Sequence, residues 1–343
     1  MGELKILVPY FRPYRREFLT GLALVVVSNV FTTIGPRFLK TGIDALTRGA
    51  PFAEVRQAGL MLLAVAIAGG IARFGMRQLL NGASRRVETD LRRDLFAHLE
   101  RMPAAFFGRY TIGDLMARAT NDLLAVRMIA GPALMYLVDT FTRTLLLLPA
   151  MAAISPRLTA LALLPVAGLP FAMIFLGNRI HYRSLAIQEY FGTVTAFVHE
   201  HLSGVRVVRA YRQEAAETRQ FLRLNEEYVT RNMALARLQG VFNSLLTFLG
   251  GLGMAVVLYV GGQEVIAGKV SVGAFVAFGV YLGTLVWPMI ALGWAVNLVQ
   301  RGTAALKRIR ALLAEEPAIR SPAVPRILPP LSGRGRLLEF EDV

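Results

Sequence analysis

A chain of 343 residues has room for two or three soluble domains, but it is 55% hydrophobic and only 18% charged. Several of its apolar runs reach the roughly 18 to 20 residues that cross a bilayer as a helix, so the expected fold class is an all-α membrane protein. The net charge of +15 reads as the Lys/Arg bias of cytoplasmic segments, with no nucleic-acid partner expected. The absence of cysteine excludes disulfides, thiolate nucleophiles and sulfur-ligated metals.

Residues 1–17 read as an interfacial elbow, with Leu4, Ile6, Leu7, Val8 and Phe11 apolar and Tyr10 and Tyr14 at headgroup level. No small-residue cleavage site follows, so the first span is expected to serve as its own uncleaved insertion signal. That span covers 18–36 and is expected to end at Gly35-Pro36; the second covers 58–80. A charged helical limb follows, with Val87, Leu91, Leu95, Phe96 and Leu99 at helical spacing. Met102-Pro103 ends it, and the chain returns through 115–127 to a third span at 132–154. After the turn at Ser155-Pro156 come a fourth span at 158–176 and a second long excursion at 177–240. The fifth span is placed at 241–260 and the sixth at 274–299, interrupted at Pro288 and continued by a charged exit helix.

Six spans thus alternate with two long excursions on one side. With the N-terminus inside, most of the 38 Lys and Arg residues fall on the inner side, as the positive-inside rule predicts. The excursions are too long for structureless loops. Limbs of roughly 30 helical residues extend about 45 Å, part in the membrane and part in water. In the second, Ile187, Tyr190, Phe191, Val194, Phe197, Val198, Leu202, Val205 and Val208 form one apolar stripe on a charged helix. Residues 317–335 are rich in Pro, Gly and Ser and read as a linker. Residues 336–343 alternate like a first strand with nothing to pair with, so the chain reads as cut at a domain boundary.

Ionisable groups inside spans are costly and mark function. Asp139 and Arg143 stand one turn apart and are expected to pair. Arg73 and Arg77 either snorkel to headgroups or line an anionic inward cavity. Asn29, Asn243, Asn297 and Gln300 are candidate cavity hydrogen-bonders or interhelical bonds. Trp287, with Phe242, Phe248, Phe275, Phe278 and Tyr281, is a candidate apolar wall or ordinary helix packing. His98, His181, His199 and His201 form no metal constellation. GGLG at 250–253 lies within a span and reads as close helix packing. No G-x-x-x-x-G-K-[ST] loop occurs, so no cofactor, metal or catalytic residue and no ATP hydrolysis is expected of this chain alone.

Four blocks carry a resemblance. TIGDLMARATND contains Gly113, Asp114, Leu115, Arg118, Asn121 and Asp122. EHLSGVRVVRAYRQE contains Glu200, Leu202, Gly204, Val208, Ala210, Tyr211 and Glu214. The others are YLGTLVWPMIALGWAVNLVQRGTAALKRIRALLAEEPAI and GRLLEFEDV. Together they resemble the transmembrane domain, over 18–316, of a type I (type IV fold) ATP-binding-cassette exporter, with wording similar to the bacterial multidrug-resistance-like (Mdl) branch. The resemblance implies coupling helices at 107–115 and 211–216, with Tyr110, Gly113, Asp114, Tyr211, Arg212 and Glu214 meeting nucleotide-binding domains in cis and trans. It also implies a homodimer or heterodimer whose fourth and fifth spans pack on the partner. ATP and Mg would be held in the nucleotide-binding domain that is missing here. The substrate would be a small amphipathic molecule, multidrug or lipid-like, exported through the inner (plasma) membrane, with both termini cytoplasmic. Two rival classes are a gradient-driven secondary transporter or channel, which predicts discontinuous spans, and a membrane-anchored scaffold with basic limbs.

Overall fold

The computed structural model describes residues 6–317, and its regular elements are helices throughout. A short elbow, α1 (Val8–Phe11), leads into α2 (Arg15–Thr47) and α3 (Phe52–Leu99). Then come α4 (Ala104–Arg109), α5 (Ile112–Ala117), α6 (Leu123–Met128) and α7 (Leu134–Ala152). The second half holds α8 (Pro156–Ser203), α9 (Val205–Ala210), α10 (Glu214–Val256), α11 (Gly262–Ile266) and α12 (Val272–Leu313). Wider π turns at Arg118–Asp122, Ile129–Ala133 and Val257–Gly261 splice neighbouring helices, so that Ile112–Ala152 and Glu214–Ile266 each run as one rod.

Five of these rods are long and apolar enough to cross a membrane, and α12 adds the apolar stretch Val272–Leu285. Helix covers each of the six stretches expected as spans. At 48 residues each, α3 and α8 are about 72 Å long, against about 30 Å of bilayer hydrocarbon. The surplus forms two limbs; the opposite side, with its short turns, is called the loop end below.

Two expected breaks do not occur. Pro36 and Pro288 both lie inside continuous helices. Proline removes one amide from the ladder, here the donor to the Thr32 and Thr284 carbonyls, a loss that packing against neighbouring helices tolerates in a span; interhelical bonds form close by. The Tyr281 hydroxyl donates to the Thr33 carbonyl at 2.8 Å, three residues before Pro36, and the Thr140 hydroxyl donates to the Pro288 carbonyl at 3.4 Å. Tyr281 and Phe278 are therefore core residues rather than cavity wall. Within the segment expected as an interfacial elbow over 1–17, helix covers Val8–Phe11 and α2 begins at Arg15. The linker beyond Pro317 and the strand at 336–343 lie outside the described residues.

Caps fix the loop end. Ser155 accepts from the Leu158 amide at 3.1 Å with Pro156 opening α8, as its Ser-Pro sequence predicts. Ser271 likewise caps α12 through the Ala274 amide at 3.1 Å. Asp44, on α2, reaches across to the same end, accepting from the Ser271 hydroxyl at 2.8 Å and the Gly273 amide at 2.9 Å.

Three buried clusters hold the helices together. One joins α7, α8 and α12 through Leu147, Met151, Leu158, Val166, Phe278 and Leu285. Another joins α2, α3 and α7 through Phe18, Val25, Met76, Leu80 and Met135. The third lies in the first limb, where Leu91, Leu95, Phe106, Leu115 and Leu123 meet Leu306, Ile309 and Leu312 of α12. The second limb is different: among the described residues from Phe171 to Val256, only Ile187, Val194 and Gly253 are buried. Its apolar stripe is half covered by α10, and Phe191, Leu202 and Val205 remain exposed.

Candidate functional site

Two arrangements in this frame carry chemistry: a polar cleft between spans and the tips of the two limbs.

The cleft encloses about 110 Å³ and is lined by Arg73, Met76 and Arg77 of α3, Met135, Tyr136, Asp139 and Arg143 of α7, and Trp287 of α12. Spacings of three and four put each helix's contributors on one face. Asp139 and Arg143 form the expected pair at 3.1 Å, and Arg73 donates to the Thr32 hydroxyl on α2 at 3.2 Å. Asn29 closes the back: its amide donates to the Thr142 hydroxyl at 2.7 Å and the Asp139 carbonyl at 3.2 Å. It is an interhelical tie rather than a wall residue. Three guanidinium groups thus line a cleft that holds one carboxylate, and the buried Nε of Arg143 has no hydrogen-bond partner. A buried donor without an acceptor is costly, and a site with surplus positive charge in low dielectric favours an anion.

Five of the eight residues expected at a cavity therefore meet here: Arg73, Arg77, Asp139, Arg143 and Trp287. Asn243 on α10 and Asn297 on α12 are exposed and line no part of the cleft. Tyr136 was not singled out in sequence, although it stands three residues before Asp139; its ring meets Trp294 edge-on at 5.0 Å.

The first tip differs from the single helix expected over 107–115. Tyr110 and Thr111 are extended and separate α4 from α5. The cause is local: the Thr111 hydroxyl accepts from the Asp114 amide at 3.2 Å and starts a new helix. Gly113 is exposed. Asp114 pairs with Arg118 at 2.8 Å, and the Tyr110 hydroxyl donates to Glu315 at 2.7 Å, a bond that raises the tyrosine's pKa. Ile112 is 77% exposed at the outer surface of the turn.

At the second tip the short helix is Val205–Ala210, six residues earlier than the expected 211–216. Residues 211–213 are the stop. Arg212 has φ of 54°. The Gln213 amide bonds the Val208 carbonyl at 3.0 Å and the Arg212 amide bonds the Arg209 carbonyl at 3.1 Å, the two bonds of a Schellman cap. A glycine normally fills that left-handed position, because a Cβ there costs roughly 1–2 kcal/mol. Arg212→Gly is expected to stabilise the turn by about 1 kcal/mol, read as slower hydrogen exchange of amides 208–213. Arg212→Val should speed it. Tyr211, at 74% exposure, and Glu214 project freely from this turn.

Just behind the second tip, His201 staples α8 to α10. Its Nδ1 lies 2.7 Å from the Phe197 carbonyl and its Nε2 2.6 Å from the Glu217 carboxylate. Both partners only accept, so both ring nitrogens must carry hydrogens. The Phe197 bond, then the Glu217 and Glu200 charges, raise the pKa above the ordinary 6.5, against the opposing effect of burial. The clip is therefore complete below pH 6.5 and is lost as pH rises through the elevated value of the folded state. Hydrogen exchange at 200–217, corrected for intrinsic rates, should show protection falling over that window, with no such step in His201→Gln.

Helical rods longer than a bilayer, a charged cleft between spans and exposed limb tips define a multi-pass α-helical membrane protein of the transporter class. The family model describing the ABC transporter transmembrane region matches residues 18–289, and the chain belongs to that family. It is 34% identical over 326 residues to the probable multidrug resistance ABC transporter ATP-binding/permease protein YheI of Bacillus subtilis, covering 94% of this chain and 55% of that protein. It is 32% identical over 332 residues to the multidrug resistance-like ATP-binding protein MdlA of Escherichia coli, covering 96% and 55%. An ATP-dependent lipid A-core flippase of Syntrophus aciditrophicus is 25% identical over 350 residues, covering 100% and 58%. The chain spans about half the length of the curated relatives it matches.

Proposed function

We propose that this chain is the membrane domain of an ATP-driven exporter of amphipathic molecules whose anionic head enters the cleft between α3, α7 and α12. The presence of Arg73, Arg77 and Arg143 in one cleft with the single carboxylate of Asp139 carries the reading, because that cleft has positive charge to spare and an unmet buried donor. Relatives named for multidrug resistance and for lipid A-core flipping support an amphipathic substrate.

In this reading the limb end and both termini face the cytoplasm, and the protein lies in the plasma membrane. Nucleotide-binding domains holding ATP and Mg dock on the tips, one in cis and one in trans. At the tips Ile112, Gly113, Tyr211, Arg212 and Glu214 form the contact surface, while Tyr110 and Asp114 brace the first tip from behind. An exposed tyrosine on a rigid turn is the kind of anchor that interfaces favour. A second subunit, identical or related, covers the exposed stripe of the second limb. ATP binding draws the domains together, and the limbs convert that closure into alternation of the spans between two rigid-body arrangements. The continuous helices of every described span favour this over a gradient-driven transporter, which would carry broken spans at its site.

The test is transport in liposomes by the transporter assembled with its nucleotide-binding domains. ATP-dependent movement of a fluorescent phosphatidylglycerol, preferred over a zwitterionic analogue and a cationic dye, is expected. Movement driven by an ion gradient without ATP, or preference for the cationic dye, would overturn the proposal.

A further inference from the structure

We propose that Glu315 is a positioning residue that clasps the first tip to the exit end of α12, so that displacement of the tip is delivered to the cleft wall. The inference rests on the reading of the first tip as a docking point for a nucleotide-binding domain. The Glu315 carboxylate lies two residues beyond the end of α12 and takes two donors from the tip. The Tyr110 hydroxyl is 2.7 Å from Oε1 and the Arg109 guanidinium 2.8 Å from Oε2.

Behind the clasp the two strips of chain are joined at successive points. Arg118 pairs with Asp114 at 2.8 Å, lies over the Tyr110 ring at 5.2 Å and donates to the Arg308 carbonyl at 3.4 Å. Arg308 in turn holds the buried carboxylate of Asp122 through two nitrogens. Higher on α12, Gly302 lets the backbones meet: a Cβ there would stand 2.3 Å from the Ile129 side chain and 2.7 Å from the Ala125 carbonyl. From 302 to 315 these attachments cover about 20 Å, with Phe106, Leu115, Leu306, Ile309 and Leu312 packed between them. Sliding would break charge pairs and open a packed core together, so tip and exit helix move as one body.

The same helix carries Trp287 into the cleft, 26 residues before its end at Leu313 and so about 39 Å along a continuous helix. A push on the first tip therefore has a rigid path to the cleft wall. The second tip has none like it: α9 buries no residue. The clasp separates the two inputs, one joined to this subunit's own α12 and the other left to follow whatever packs on the second limb.

The experiment uses the assembled transporter, with spin labels at Ile112 and Ala304 reporting the distance between tip and exit helix. The wild type is expected to give one narrow distance that is the same with and without nucleotide. Arg109→Glu and Glu315→Arg, each alone, should lose the narrow distance and lower transport per ATP roughly threefold to tenfold. The double charge exchange should restore both, which a merely structural defect would not do. Unchanged distances and transport in the single variants, or no recovery in the double, would overturn the clasp. A cysteine at Ile112 that fails to crosslink to a nucleotide-binding domain in the wild type would overturn the docking reading and this proposal with it. A crosslink that forms while the single variants behave as wild type overturns the clasp alone.

Discussion

Replacing Arg143 with methionine is expected to destabilise the protein by about 2–3 kcal/mol and to weaken binding of an anionic amphiphile about tenfold or more. Removing one partner of a fully buried ion pair costs about 3–5 kcal/mol, because the other charge is left behind. Here Asp139 keeps 20% of its side chain exposed, and Arg73 and Arg77 share the same cleft, so the smaller figure applies. The double variant Asp139→Asn/Arg143→Met removes both charges and should recover stability to within about 1 kcal/mol of the wild type, since neutral replacement of a buried pair is often tolerated. Binding should not recover with it. Thermal unfolding in detergent and titration with a fluorescent anionic lipid separate the two effects. A double variant that regains both stability and binding would reduce Arg143 to a structural residue.

Gly273→Ala is expected to cost about 2–4 kcal/mol, large for one methyl group. Its Cβ would stand 2.3 Å from the Lys40 carbonyl oxygen and 2.6 Å from the Asp44 carboxylate. The first is backbone and cannot rotate away. The second is held by the Ser271 hydroxyl and the Gly273 amide, so yielding would undo the cap of α12. Overpacking alone costs about 1–3 kcal/mol, and loss of a cap about 1 more. Asp44→Ala, which removes the cap without the clash, should cost about 1 kcal/mol. Melting temperatures of the two variants check the ordering; a Gly273→Ala protein as stable as Asp44→Ala would show that α2 and α12 can part at the loop end without strain.

Much of the architecture is legible in sequence because it depends on short-range physics. Apolar runs long enough for a bilayer mark six spans, and helical spacing of Val87, Leu91 and Leu95 carries the first limb past the membrane. The Asp139–Arg143 pair follows from a separation of four on one helix. The tips are harder to read. Helix boundaries there depend on cap bonds: Thr111 restarts a helix, and Arg212 stops one in a conformation that its own side chain disfavours.

What the tertiary structure alone decided is which distant residues meet. Nothing local tells Arg73 and Arg77 that they will share a cleft with Asp139, Arg143 and Trp287, or that Asn243 and Asn297 will not. Pro36 and Pro288 read as breaks because a proline costs its helix an amide bond. They stay helical here inside spans packed against other helices, where Tyr281 and Thr140, far away in sequence, tie nearby carbonyls across to the neighbouring rods. Glu315 looks like an ordinary acidic residue after a helix, and its clasp on Arg109 and Tyr110 exists only because α12 lies against the first limb. Periodicity and length are properties of one segment and survive in the bare sequence; convergence of charges is a property of packing, and only the folded chain has it.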